Sequence, residues 1–372
     1  MFLLILSTAL VFINLIFRKS KICFSALLLD LWVLFGWSYG NADWLIYTNR
    51  YNNYEALSSR TEWLFTFLVK SSHTFRLDYR GFLIVISAIC LLLMAKTIWD
   101  YSSEPGLPLA LYAIFCFPMD VTQVRFFIAF AVACFGLRFL FKFNEEKAKK
   151  QLIFFIISIL AATSIHMVTI LMLVLLIPVF FSRKITIAIT IGANVVFLLA
   201  NSLSSKIFAL IGMFLGETKA EFVMDQASKY DRGTILYVWF KTLFIFAGFF
   251  AIYLCVKYFT QKYSEFAEDK KLYNKQLEFT LDCNIIILVI LGLITVTTDF
   301  YRIQQIIVFM NYLVYSNYLR STTFGKVRLS NLIIVSVAVA FAFAELYNLV
   351  LSNPNYEVVF KPLFYNNALL GS

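Results

Sequence analysis

The sequence predicts an all-α, polytopic integral membrane bundle, one domain over residues 1–372, with about twelve spans, outer-face loops and a candidate re-entrant segment. Three observations predict it. Apolar residues make up 61% of the chain and charged residues 15%, against roughly 45–50% and about 25% in soluble domains; mean hydropathy is +0.79. Apolar runs recur at close to the roughly 17–25 residues that cross a bilayer as helix. Strand-like alternation is absent, which favours helices over a barrel.

In order, the expected spans are 2–17, 22–39, 81–99, 107–118, 124–141, 152–165, 167–181, 185–203, 233–256, 279–297, 303–319 and 330–349. The first run meets Arg18-Lys19-Ser20-Lys21 with no polar leader or small-residue cleavage site. It therefore reads as a retained span rather than a signal peptide. The fourth, sixth and seventh runs are short, and the sixth and seventh form either a broken pair or one long stretch.

Charge sets the orientation. With the N-terminus outside, the cytoplasmic connections are 18–21, 100–106, 142–151, 182–184, 257–278 and 320–329, and five of these six are basic. Short basic loops belong in the cytoplasm. The longer mixed-charge segments 40–80 and 204–232 then lie outside. The net charge of +10 resides in these loops and does not imply nucleic acid. The six cysteines lie singly, without CxxC or Cys/His pairs, so neither a disulfide frame nor a metal site is expected. No cofactor motif is present either.

The candidate chemistry gathers on the outer side. Asp43, Tyr47 and Tyr51 are spaced i, i+4, i+8 and share a helical face, with Arg50 close to it. A carboxylate beside tyrosines suits a sugar; the competing reading is an interfacial amphipathic helix with an aromatic belt. Glu62 precedes the stretch WLFTFLV, which is too short to span and is the re-entrant candidate. Arg125 opens a span, where its planar fork suits phosphate; a snorkelling arginine is the competing reading. His166 is either a packing residue or a base near neutral pH. Asp299 and Arg302, at i and i+3, and the Tyr230-Asp231-Arg232 triplet also precede spans. Three spans thus begin with an arginine, which suggests an anionic ligand such as a diphosphate. Ionisable groups at membrane depth are by default functional candidates.

In this order the chain resembles the Wzy-type polysaccharide polymerases, in particular the EpsG-like branch. The resemblance rests on Asp43-xxx-Tyr47-xxx-Tyr51, Glu62 before a short apolar stretch, Arg125 in VRFFIAFA, His166 in SIHMVTI and Arg302 in FYRI. It departs where Met167, Val168 and Thr169 follow the histidine in place of a small hydroxyl residue. The turn after Glu62 also lacks the usual proline or glycine. The resemblance implies a glycosyltransferase of the bacterial inner membrane. It would join undecaprenyl-diphosphate-linked oligosaccharide repeat units en bloc at the extracytoplasmic face, without metal or cofactor, alongside a flippase and a chain-length regulator. It implies Asp43 or Glu62 as base, His166 as a further polar site residue, Tyr47, Arg50 and Tyr51 on sugar, and Arg125, Arg302 and Arg232 on diphosphate, with Asp299 beside Arg302. Two alternatives stand. A polyprenyl-phosphate-sugar-dependent glycosyltransferase would carry paired acids in its first outer loop. A lipid-linked oligosaccharide flippase would show internal repeats.

Overall fold

The computed structural model describes residues 1–56, 62–200, 232–262, 270–295, 298–318, 326–351 and 355–371. Among these residues the chain is helical throughout, with no strand and one isolated bridge, Ser38 to Asn367. Five helices are long and apolar enough to cross a membrane: Tyr79–Tyr101, Val124–Glu146, Ile235–Phe259, Asn274–Ile294 and Asn331–Leu351. They correspond to the expected spans at 81–99, 124–141, 233–256, 279–297 and 330–349. The remaining expected spans are shorter, interrupted or only partly described helices, so twelve full crossings are not established.

The helices begin and break for local reasons. α1 (Phe2–Ile16) and α2 (Lys21–Trp37) are separated by a turn, and Ser20 caps α2 by accepting from Cys23 N at 3.3 Å. α3 (Trp44–Asn52) and α4 (Trp63–Thr74) follow as short helices. The re-entrant candidate is α4, which buries Phe65 and Val69 while Trp63 and Phe67 are exposed. Asp78 caps α5 (Tyr79–Tyr101), accepting from Gly81 N at 2.7 Å. The expected span 107–118 is two helices, α6 (Gly106–Ile114) and α7 (Cys116–Thr122). Pro118 has no N–H to offer the carbonyl of Ile114, which opens the ladder there. α8 (Val124–Glu146) stops at Lys147, whose φ of 57° is left-handed. α9 (Lys149–Thr163) ends before His166, which is extended at φ −143°, and a 3-10 helix, Met167–Leu176, follows. The long apolar run is therefore a broken pair, with its break at the histidine.

Polar side chains bind these helices where lipid offers no partner. Buried Asn14 of α1 donates to Leu10 O and to Cys23 O of α2, both at 2.9 Å. Asn284 and Asn311 exchange amide hydrogen bonds at 2.9 Å between Lys270–Ile287 and Gln304–Tyr318. Asn194 accepts from Gly292 N at 2.6 Å and donates to Leu288 O at 3.1 Å. It thereby satisfies backbone freed by the break between Ile287 and Ile290. The α6–α7 pair and Gln304–Tyr318 are nearly wholly buried and form the centre of the bundle.

Loop contacts sort into two ends. At one, Arg18 pairs with Glu104 at 3.0 Å, Ser103 N donates to Asn317 at 2.9 Å, Lys275 reaches Asn144 O at 2.7 Å, and Arg183 pairs with Glu278 at 2.8 Å. These are connections that the charge pattern places together. Burial raises the Glu104 carboxyl here, against the lowering by Arg18 and Lys19. At the other end Asn41 donates to Val121 O, Ala42 N to Val358 O, and Arg80 to Trp37 O. That second end carries the candidate site.

Candidate functional site

The site forms where several helices begin. Glu62 is the N-cap of α4 and is buried. The start of α4 is docked on the end of α9 by Leu64 N donating to Ser164 O at 3.0 Å. This brings the carboxylate between two partners. Glu62 Oε2 accepts from Arg125 Nη1 at 2.8 Å, and Oε1 accepts from Met167 N at 3.3 Å. Met167 directly follows His166, so Glu62, Arg125 and the histidine segment meet.

Arg125 is the second residue of α8, and its side chain is 24% exposed. Its guanidinium lies 5.8 Å from the Phe65 ring centroid, and its Nε has no hydrogen-bond partner among the described residues. Arginine retains its charge beside a carboxylate and presents several donors in one plane. Here one of them holds Glu62. The His166 ring is 8% exposed and meets the Phe126 ring edge-on at 5.8 Å. Its carbonyl accepts from the Thr169 amide at 3.1 Å and from the Thr169 hydroxyl at 2.8 Å, which fixes the break.

Arg302 arrives from the far end of the chain. It is half-buried in the 3-10 segment Thr298–Ile303, which packs on Met167–Leu176 and on the Arg232–Lys262 helix. The adjacent Tyr301 hydroxyl is 3.5 Å from Gln123 Nε2, two residues before Arg125. Arg125, His166 and Arg302 therefore stand on three segments in mutual contact. The Asp299 and Arg232 side chains and the whole of Asp231 lie outside the described residues.

α3 provides an aromatic wall beside this cluster. Asp43 is its N-cap, half-exposed, with its amide donating to Asn41 Oδ1 at 3.2 Å. Tyr47 and Tyr51 share the buried face, as their spacing requires, while Arg50 is exposed. Tyr47, Arg50 and Tyr51 line a narrow crevice with Phe65 and Val124, the neighbours of Glu62's helix and of Arg125. The Tyr51 hydroxyl donates to Leu77 O at 2.7 Å and lies 2.8 Å from Ser72 Oγ. Its ring stacks on His73 at 4.3 Å, and Tyr54 stacks on His73 at 3.9 Å. Burial raises the Tyr51 phenol, Ser72 lowers it and Asp78 raises it further. Tyr51 thus ties α3 to α4, whereas Arg50 keeps a side chain in the open.

Among the ionisable residues that escape the sequence reading are Asp120, Lys241 and Glu345. Asp120, fully buried in α7, accepts from the Tyr112 hydroxyl at 2.8 Å. Lys241 and Glu345 face each other's helices further along the chain. Lys241 and Glu345 are single charges within expected spans, which an averaged hydropathy hides, whereas Asp120 lies in the short connection between the expected spans 107–118 and 124–141.

The model of the EpsG family matches residues 21–361. No curated protein and no solved structure matches the chain.

Proposed function

The chain belongs to the EpsG family, and from that premise we propose that it is a polysaccharide polymerase. It joins undecaprenyl-diphosphate-linked oligosaccharide repeat units en bloc, on the extracytoplasmic face of the bacterial inner membrane. The observation that carries this reading is the Glu62–Arg125 pair at 2.8 Å. A base and an anion-binding group stand side by side, next to His166 and the Arg302 segment.

The transfer requires both groups. An acceptor sugar hydroxyl attacks the anomeric carbon of the donor glycan. A new C–O bond forms, and the bond from that carbon to the lipid diphosphate breaks. The departing diphosphate takes the bonding electrons, and the hydroxyl proton passes to a base. Glu62 is the base we favour over Asp43, because its second oxygen is steadied by the Met167 amide. General-base catalysis of this kind contributes typically about 10²–10⁴-fold. Arg125 and Arg302 stabilise the charge developing on the diphosphate, an electrostatic role for which positioned donors are well suited. Tyr47 and Arg50 contact the sugar along the α3 crevice.

The test is the distribution of lipid-linked glycan in a strain lacking the protein. Accumulated single repeat units and no long polymer, with long polymer restored by the intact chain, support a polymerase. Loss of every outward repeat unit indicates a flippase or an earlier transferase instead.

A further inference from the structure

A second polar site lies outside this cluster. Lys241 and Glu345 belong to the spans Ile235–Phe259 and Asn331–Leu351. With Tyr237, Phe240, Phe244 and Asn348 they line a groove of about 470 Å³. Tyr237, Phe240 and Phe244 are exposed on the bundle's outer wall, where lipid lies. Each charge is six residues from the end of its span, about 9 Å along a helix. The groove is in the half of the bundle nearer the site, since 347–351 packs on Tyr356–Phe360, which in turn packs on α7.

Charges at such depth need partners. Lys241 Nζ donates to Asn348 O at 2.5 Å and stands 4.0 Å from the Tyr237 ring centroid. An ammonium has three donors. Glu345 is 1% exposed, and its Oε1 has no hydrogen-bond partner among the described residues. Lys241 and Glu345 form no direct salt bridge with each other among those residues. The groove therefore presents an ammonium and a carboxyl group that do not pair with each other by contact.

We propose that this groove holds the headgroup of a zwitterionic aminophospholipid, with its phosphate on Lys241 and its ammonium on Glu345. Such a headgroup carries an anionic phosphate and an N–H-donating ammonium joined by a two-carbon bridge. Its acyl chains continue along Phe240 and Phe244. An anionic headgroup satisfies Lys241 but brings no ammonium to Glu345. A quaternary ammonium has no N–H to donate to the unpartnered oxygen. The inference is independent of the polymerase reading, because it concerns residues outside that site and is read by lipid retention rather than turnover.

The experiment uses the full chain in nanodiscs made from equal parts of phosphatidylethanolamine, phosphatidylcholine and phosphatidylglycerol. Lipid that survives delipidation is measured by native mass spectrometry. The expected result is phosphatidylethanolamine enriched roughly tenfold over each of the others. Glu345→Gln should bring it down to the phosphatidylcholine level, and Lys241→Gln should lower retention of both. Melting curves confirm that the variants are folded; if Glu345→Gln unfolds, the wild-type comparison of the three lipids still decides. Equal retention of the three, retention of phosphatidylglycerol or a polyprenyl phosphate instead, or enrichment unchanged in a folded Glu345→Gln variant overturns the proposal.

Discussion

Glu62→Gln separates two consequences of one contact. Glutamine keeps the shape of the side chain, and its amide oxygen still accepts from the Met167 amide, 3.3 Å from the carboxylate. It removes the basic oxygen and the negative charge that holds Arg125 at 2.8 Å. Loss of a general base costs about 10²–10⁴-fold, or roughly 3–5 kcal/mol of barrier at 1.36 kcal/mol per decade. The stability cost is smaller. Stranding one partner of a fully buried pair costs about 3–5 kcal/mol, but the Arg125 side chain is 24% exposed. Solvent reduces the penalty to about half of that, on the order of 2 kcal/mol. Affinity for the diphosphate should move the other way. In the free protein Arg125 is engaged by Glu62, so an incoming diphosphate must displace a carboxylate, and the glutamine variant lifts that competition. The assay is purified protein with lipid-linked repeat units, reading single-turnover rate and, separately, binding of undecaprenyl diphosphate. We expect turnover down at least a hundredfold with diphosphate binding equal or tighter. Near-normal turnover would refute Glu62 as the base, and weaker diphosphate binding would refute the competition.

Arg125→Lys and Arg302→Lys retain charge but lose the planar fork; each should weaken diphosphate binding and shorten the glycan at normal membrane protein levels, and full-length polymer from both would dismiss the diphosphate assignment. For topology, Asn52→Cys should react with an impermeant thiol reagent applied from outside and Lys149→Cys should not, both positions being exposed; the reverse pattern would invert the orientation and remove the site from the outer face. Tyr112→Phe strands the buried Asp120 carboxylate, whose donor lies at 2.8 Å, and should cost on the order of 1–3 kcal/mol; an unchanged melting temperature in detergent would show that another group replaces the hydroxyl.

Fold class and helix positions were legible because apolar run length and loop charge act locally. Glu62, Arg125 and His166 stood out singly, as charges bordering apolar runs. Their meeting was not legible, since Glu62 is 63 residues from Arg125 and 105 from Met167 in the chain. The same limit applies to Tyr51. Its buried face follows from the i, i+4 spacing, but the partners of its hydroxyl, Ser72 and Leu77, come from the end of a later helix and the turn beyond it. The run at 107–118 read as one span because hydropathy is blind to an absent N–H. Pro118 carries that information, and the break at Phe115 follows from it. Asp120 was passed over for another reason: it falls in the short connection between the expected spans 107–118 and 124–141, where a single carboxylate looks like an ordinary loop charge.

The breaks themselves supply a physical reason for the proposed anion site to lie at this end. α4 begins after Glu62, α8 after Gln123 and the 3-10 helix after His166. Each of these starts borders the site cluster, so their positive dipole ends collect there. Each such end favours an anion by typically about 0.3–1 kcal/mol, and more where solvent is scarce. In the free protein part of that field is already used: the Met167 amide at the start of its helix holds Glu62. The arginines therefore reinforce a backbone preference and do not act alone. Arg125→Gln should accordingly leave measurable diphosphate binding, reduced but still salt-sensitive. Complete loss of binding in a folded Arg125→Gln protein would mean that the helix ends contribute nothing and that the side chain carries the whole interaction.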